Sequence, residues 1–351
     1  MSDIQDQLLQ EELDIQGEAD EKPWKFASVW NKALEQQENK PLKERNHLWA
    51  SELGKSPIDL YLKLTGVKPT NPPNARSLRK FEAGNIFEWI VSLILKRAGI
   101  LQESQKWTSF QYPGLLQTTG KADFIVGGIP KGAEEAINEM RTLGLPDVFI
   151  RGAEAVARHL MTFTSGLKPM PLEIKSVSSF MFEALESKGV ASRNHRLQLF
   201  HYLKSTEYDQ GRIVYISRDD LRMMEIVIEK NSPVEHDYRQ AIETISKYIL
   251  TKEKPPLEQP ITFDEDLCKF SKNYNVAYSN YLTMLYGFKD QKEFDDKYTS
   301  MVSSWNRVVS RLKEGKTMTE KNNLILEQIK QAGFSVENIL KKFSPEPDAE
   351  E

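Results

Sequence analysis

Residues 171–179 read PLEIKSVSS. A short apolar run followed by small polar residues has the length and composition of a buried strand. This one carries a carboxylate, Glu173, and an ammonium, Lys175. Side chains two apart on a strand share a face. The two charges are therefore neighbours, and Leu172, Ile174 and Val177 are left for packing. Charges on a core strand cost free energy unless they are paired, solvated or metal-bound.

A second acid precedes them in similar company. The segments KWTSFQYP (106–113) and LLQTTGKADFIVGG (115–128) read as strands parted by Pro113-Gly114. Asp123 stands immediately before Phe124, Ile125 and Val126. If its strand pairs with that of Glu173, the two carboxylates converge on one divalent cation. Mg²⁺ takes oxygen ligands, keeps several waters and is often held by one or two carboxylates. Lys175 would then orient or help deprotonate the attacking water, or meet charge building on a phosphate. Such a set suits phosphodiester hydrolysis. Taken singly, Glu173 and Lys175 also fit a solvent-facing pair on an edge strand, and Asp123 a turn cap after Gly120.

The rest of the chain frames these strands. Residues 1–22 are acidic and Gln-rich and read as a disordered or frayed tail. Helical pieces follow over 23–66, among them SPIDLYLKLTG (56–66), opened by Ser-Pro and closed by Gly66. The proline-rich VKPTNPPNA (67–75) is loop. Phe81, Ile86, Phe87, Ile90, Val91, Ile94 and Leu95 recur at helical spacing, which predicts a long core helix over 77–98 ending at Gly99. Residues 130–168 interrupt the β pattern as an insertion with two helices, 133–144 and 153–163. Helices are expected at 179–187, 193–205 and 233–251, and a strand pair at GRIVYISRDD (211–220) and RMMEIVIEK (222–230). A domain boundary falls near 252–261. Residues 262–344 read as helical with no strand signal, and 345–351 as an acidic tail.

In order, these elements resemble the PD-(D/E)XK nuclease superfamily, in its RecB-type and lambda-exonuclease-like branch. Asp123 with Glu173-Ile174-Lys175 is similar to the D…E-x-K core. FEAGNIFEWI (81–90), with Gly84 and Glu88, resembles the branch's first helix, and HRLQLFHYL (195–203), with Gln198 and Tyr202, its Q-x-x-x-Y helix. The likeness covers about residues 50–250. It implies an α/β fold with a restriction-endonuclease-like mixed central sheet flanked by helices. It also implies Mg²⁺ or Mn²⁺ dependence and cleavage of DNA. Glu88, Asp123 and Glu173 would ligate the metal together with the Ile174 carbonyl. Lys175 would be catalytic, and Gln198 and Tyr202 would order the site or the DNA. The gap between Asp123 and Glu173 is longer than usual for the family. Glu88 stands where many RecB-type members have His. Ser56 stands where iron–sulfur members often have Cys.

Glu88 also fits the polar stripe of an amphipathic helix, and Gln198 with Tyr202 ordinary helix positions one turn apart. Bases gather nearby: Arg193, His195, Arg196 and Lys204 on one helix, and Arg76, Arg79 and Lys80 ahead of Glu88. Phosphate contacts come from such residues, though each also fits a solvated charged face. His195 and His201 read as phosphate-proximal or exposed, with no third ligand for zinc. The aromatics of 274–288 and the bases of 303–316, with Trp305 among them, could stack on single-stranded bases, form a helical core or face a protein partner.

The 351 residues carry a formal charge of −4 and one cysteine, Cys268. A single cysteine excludes an intrachain disulfide and an all-protein Cys₄ centre, so no iron–sulfur cluster is expected. No apolar run has the length of a membrane span. The acidic N-terminus lacks signal-peptide features. A cytoplasmic protein of a bacterium or phage-infected host is the expectation. The leading reading is a metal-dependent deoxyribonuclease, of exonuclease type, in phage or bacterial replication, recombination or repair. The alternative is a catalytically silent nuclease fold that binds DNA, its C-terminal helices docking a protein partner. A restriction-like endonuclease is a third.

Overall fold

The structure, a computed structural model, describes residues 25–38, 44–128, 138, 141–160, 167–264 and 268–341. It divides into two units, one made of residues up to 41 with 73–81, the other of 42–72 and everything from 82 onward.

In the first unit lie helix α1 (Phe26–Glu38) and the opening turns of α3 (Ala75–Arg97). Arg79 donates to Asn31 Oδ1, and its guanidinium lies 5.9 Å from the Trp30 ring centroid.

The second unit is built on a six-stranded mixed sheet. Its centre is β3 (Gln117–Gly128). One edge of β3 takes β2 (Leu101–Phe110), antiparallel. The other edge takes β1 (His47–Trp49), parallel, at residues 117–119, and β4 (Leu167–Val177), antiparallel, from Phe124 onward. Next come β5 (Gln210–Ser217), parallel to β4, and β6 (Met223–Glu229), antiparallel to β5. PLEIKSV is thus an internal strand with neighbours on both sides.

Each face of the sheet buries its own set of alternating side chains. Phe124, Val126, Leu172, Ile174, Val214 and Ile216 form one face, against Phe87, Val91 and Leu95 of α3. Ile213 and Tyr215 belong to the other. There α6 (Arg193–Lys204) and α7 (Val234–Thr251) supply Leu197, Leu199, Phe200, Tyr238 and Ile242. Burying each side chain of this size contributes about 1.5–3 kcal/mol. Helix α5 (Ser179–Lys188) follows β4 directly; Ser178 caps it and left-handed Gly189 closes it. Only part of α3 behaves as read from its periodicity: Phe81 and Ile86, counted toward the core, are exposed, because the sheet lies under its later turns.

Beyond Lys252 the chain is irregular to residue 260 and then pairs with itself. β7 (Ile261–Asp264) and β8 (Lys269–Lys272) form an antiparallel ribbon, which corrects the reading of 262–344 as free of strands. Phe263 and Phe270 face each other across it. The ribbon packs with α10 (Gln291–Lys313), α11 (Glu320–Gln331) and α12 (Val336–Lys341) around Phe270, Trp305 and Ile329. Two short helices between them, α8 (Tyr274–Ala277) and α9 (Leu282–Tyr286), face back toward α2 (Pro57–Leu64). Asp59 accepts from Ser279 Oγ at 2.8 Å and from Asn280 N at 3.3 Å. Tyr281 packs on Ile58 and Leu62 and donates to the Val67 carbonyl at 2.9 Å.

Two further corrections concern boundaries. β1 lies within a stretch read as helical. The second helix of the insertion, α4 (Asp147–Leu160), begins six residues earlier than its periodicity suggested. The insertion's first helix falls largely, and the two tails almost entirely, outside the described residues. Among the described residues no helix is long and apolar enough to cross a membrane.

Candidate active site

The β3–β4 ladder ends at Phe124–Leu172. The next opposed residues would be Asp123 and Glu173, and there the strands part. A freed strand amide needs a partner. The Asp123 carboxylate supplies one, its Oδ2 accepting from Ile174 N at 2.8 Å. In a strand the N–H and C=O of one residue point the same way, so the Ile174 carbonyl faces the same side as that amide. Asp123 is 7% exposed and Glu173 0%.

Glu173 and Lys175 are in register with Ile213 and Tyr215 and so stand on the α6 side of the sheet. Lys175 Nζ lies 2.5 Å from Glu173 Oε1. The other carboxylate oxygen, Oε2, is buried with no hydrogen-bond partner. The pairing of these two charges within an internal strand replaces the edge-strand reading.

Electrostatics tie four groups together. Burial, opposed by Lys175 and reinforced by Asp123 and Glu88, pushes the Glu173 carboxyl up to about 8. Burial and then the Asp123 charge push Glu88 up to about 7. Asp123 is raised by burial against the pull of Lys175 and the Ile174 amide. Burial opposes the Lys175 charge, but the surrounding carboxylates outweigh it and hold that pKa above its ordinary value. Three carboxyls share the site with one ammonium. Burial is the main cause of the raised acids; fully ionised, the four groups would also leave two negative charges uncompensated, which adds to the rise at Glu173 and Glu88.

Gln198 and Tyr202 lie under this site. Gln198 Nε2 donates to the Tyr202 hydroxyl at 2.9 Å, and that hydroxyl donates to the Lys121 carbonyl at 2.7 Å, two residues from Asp123. Tyr202 is 1% exposed, with both bonds internal. The pair braces α6 against β3. Gly120 lets the helix come that close, since a Cβ there would lie 3.0 Å from Tyr202 Cε1.

His195 Nδ1 lies 2.8 Å from the Tyr215 hydroxyl, which also accepts from Ser192 N at 3.2 Å. Burial and the Lys175 charge push this imidazole down to about 3, so it is neutral. Tyr215 escaped the sequence reading, although its alternation with Ile213 places it beside Lys175. His201 is not exposed: it is fully buried against the Tyr238 hydroxyl at 2.9 Å. On α6 Arg193 is exposed, Arg196 is half-buried and Lys204 pairs with Glu235. In the first unit Arg76 and Lys80 are exposed, while Arg79 is engaged by Asn31 and Trp30.

Among the described residues no three His, Cys, Asp or Glu side chains form a ready ligand cluster. Glu88 is thus coupled to the other acids by charge without closing a three-acid cage. Two carboxylates suffice for Mg²⁺ with its waters. The unpartnered Glu173 Oε2 and the two surplus negative charges are what such an ion would satisfy, and the residues fit it.

No protein-family model matches the chain, and no curated protein sequence does. Among solved structures it is similar to SSO0001, with 17% identity over 67% of this chain and 91% of that one and a TM-score of 0.37. It is also similar to an alkaline exonuclease, LHK-Exo from Laribacter hongkongensis, with 12% identity over 64% of this chain and 93% of that one and a TM-score of 0.37. At these identities and TM-scores any functional conclusion rests on the chain's own side chains.

Proposed function

We propose that this protein is a metal-dependent DNA nuclease, of exonuclease type, with its site at Asp123, Glu173 and Lys175. The observation that carries the reading is the parting of β3 from β4 at two buried acids. One is fixed on the Ile174 amide; the other is paired to Lys175 through one oxygen and left open at the second. Asp123 and Glu173 would hold Mg²⁺ or Mn²⁺, with Glu88 adding charge and the Ile174 carbonyl facing the same side. A bound divalent cation would lower the pKa of water and polarise a phosphoryl oxygen.

The chain's own groups do the rest. Lys175 stays protonated at neutral pH and presents its ammonium to phosphate oxygens as their negative charge grows. The Gln198–Tyr202–Lys121 chain of hydrogen bonds fixes β3, and with it the Asp123 carboxylate, to α6. Neutral His195, held by Tyr215, adds no charge beside Lys175.

The test is digestion of end-labelled linear and closed circular DNA with Mg²⁺ or Mn²⁺. Linear DNA should be degraded and circular DNA spared, and Lys175→Ala should slow cleavage by about a hundredfold or more. A Lys175→Ala protein cutting at the wild-type rate, or a wild type inert with both ions, would overturn the proposal. Cutting of the circle would move it to endonuclease action.

A further inference from the structure

Two tryptophans and a lysine lie on and beside β3 two to four residues before Asp123, and their side chains have no part in the chemistry above. Trp107 on β2 is 58% exposed. The Trp49 ring from β1 meets it edge-on, centroids 5.3 Å apart at 60°. Lys121 on β3 sits in register with Trp107 and places Nζ 5.2 Å from its ring centroid. From Lys121 to Asp123 is two residues of strand, about 7 Å. The Lys121 carbonyl is the one that Tyr202 grips, so the cluster and Asp123 are braced together.

An exposed indole packed edge-on against a second and flanked by an ammonium is more than a lone apolar side chain on the surface. Its π face suits a nucleobase, and an ammonium over it suits the phosphate beside that base. The attraction of Lys121 to the ring is weak at an exposed site, so the ammonium is free to turn to a phosphate. A base inside a duplex has both faces covered by its neighbours. An unpaired base offers a free face to Trp107, as does the outer face of a duplex's end pair. Stacking on a ring face is tolerant of sequence, because every base has a π face.

We propose that Trp107, backed by Trp49 and joined by Lys121, is a stacking step for single-stranded polynucleotide, holding the strand end unpaired as it enters at Asp123. The inference rests on the nuclease reading for what happens next, but not for the binding itself. Affinity for labelled oligo(dT) is therefore measured in EDTA, where hydrolysis is off, for wild type, Trp107→Ala, Trp107→Phe and Lys121→Ala. Loss of one base–aromatic stack predicts about ten- to hundredfold weaker binding for Trp107→Ala. Trp107→Phe should recover most of it, and Lys121→Ala should flatten the salt dependence. Thermal melting of each variant checks its fold. Wild-type affinity in Trp107→Ala, or no oligonucleotide binding by the wild type, would overturn the proposal. So would Trp107-dependent self-association with unchanged DNA affinity, which would mark a protein-contact surface. Trp107-dependent binding by a protein that never hydrolyses DNA would sink the nuclease reading and leave this one standing.

Discussion

Glu173→Gln takes one negative charge out of the site and keeps the side chain's shape. In the unfolded chain Glu173 and Glu88 titrate near 4.5; in the fold burial holds them at about 8 and about 7. Below pH 4.5 each is protonated in both states and neither affects stability. Between 4.5 and the folded value the folded chain keeps a proton that the unfolded chain has lost, so stability falls as pH rises. Glu173 in its window costs about 1.4 kcal/mol per pH unit, or roughly 5 kcal/mol in all, and the partly exposed Glu88 costs less. Lys175, held above 10.5, keeps its charge throughout. Urea unfolding in EDTA, followed from below pH 4.5 to above pH 8, should therefore show the wild type declining until about 8. The variant should decline only until about 7, where Glu88 finishes, and end up the more stable of the two. Millimolar Mg²⁺ should reverse that order, since mass action stabilises the protein that binds the ion. Parallel pH curves between 7 and 8 in EDTA would refute the argument. They would mean that Glu173 is ionised throughout, matched by Lys175, and that the site holds no surplus charge.

Two further variants probe the brace beneath the site. Tyr202→Phe leaves Gln198 Nε2 and the Lys121 carbonyl without their partner in a buried setting. It should cost about 1–3 kcal/mol, read as a lower urea midpoint at unchanged slope, and slow cleavage by loosening Asp123. Gly120→Ala places a methyl 3.0 Å from both Tyr202 Cε1 and Ala50 Cβ, and 3.2 Å from His201 Cδ2. That crowding should cost about 1–3 kcal/mol. Gly152→Ala, with open space around it on α4, should by contrast be neutral or stabilise by up to about 1 kcal/mol on the same urea curve.

What could be read in advance divides by the range of the interactions involved. β3 and β4 were legible because their apolar residues and their acids contradict each other locally, and a buried charge demands an explanation wherever it sits. The flanking helices were legible from 3.6-residue spacing. β1 was not. Three residues are too few to show a period, and they become a strand only because Gln117–Thr119, some seventy positions later, offers an edge. β7 and β8, four residues each, hid in the same way, although Phe263 and Phe270 alternate with polar neighbours. Gln198 and Tyr202 were found as residues that order the site or the DNA, but not the contact they make, because a hydrogen bond to the Lys121 carbonyl leaves no mark in either segment.

Glu88 shows the same limit within the site. Its neighbours on α3 place Phe87, Val91 and Leu95 against the sheet, and nothing in that pattern says that position 88 will feel Asp123. The coupling arises because α3 packs on one face of the sheet while the carboxylates stand where two strands separate, at the sheet's own break. A ladder that continued to Ala122–Ile174 would have spent the Ile174 amide on β3 backbone and left Asp123 without that bond. The local failure of strand pairing therefore comes first. It frees one amide, the amide fixes one acid, and the fixed acid adds to the negative charge around Glu173 and Glu88 that a single lysine leaves unbalanced.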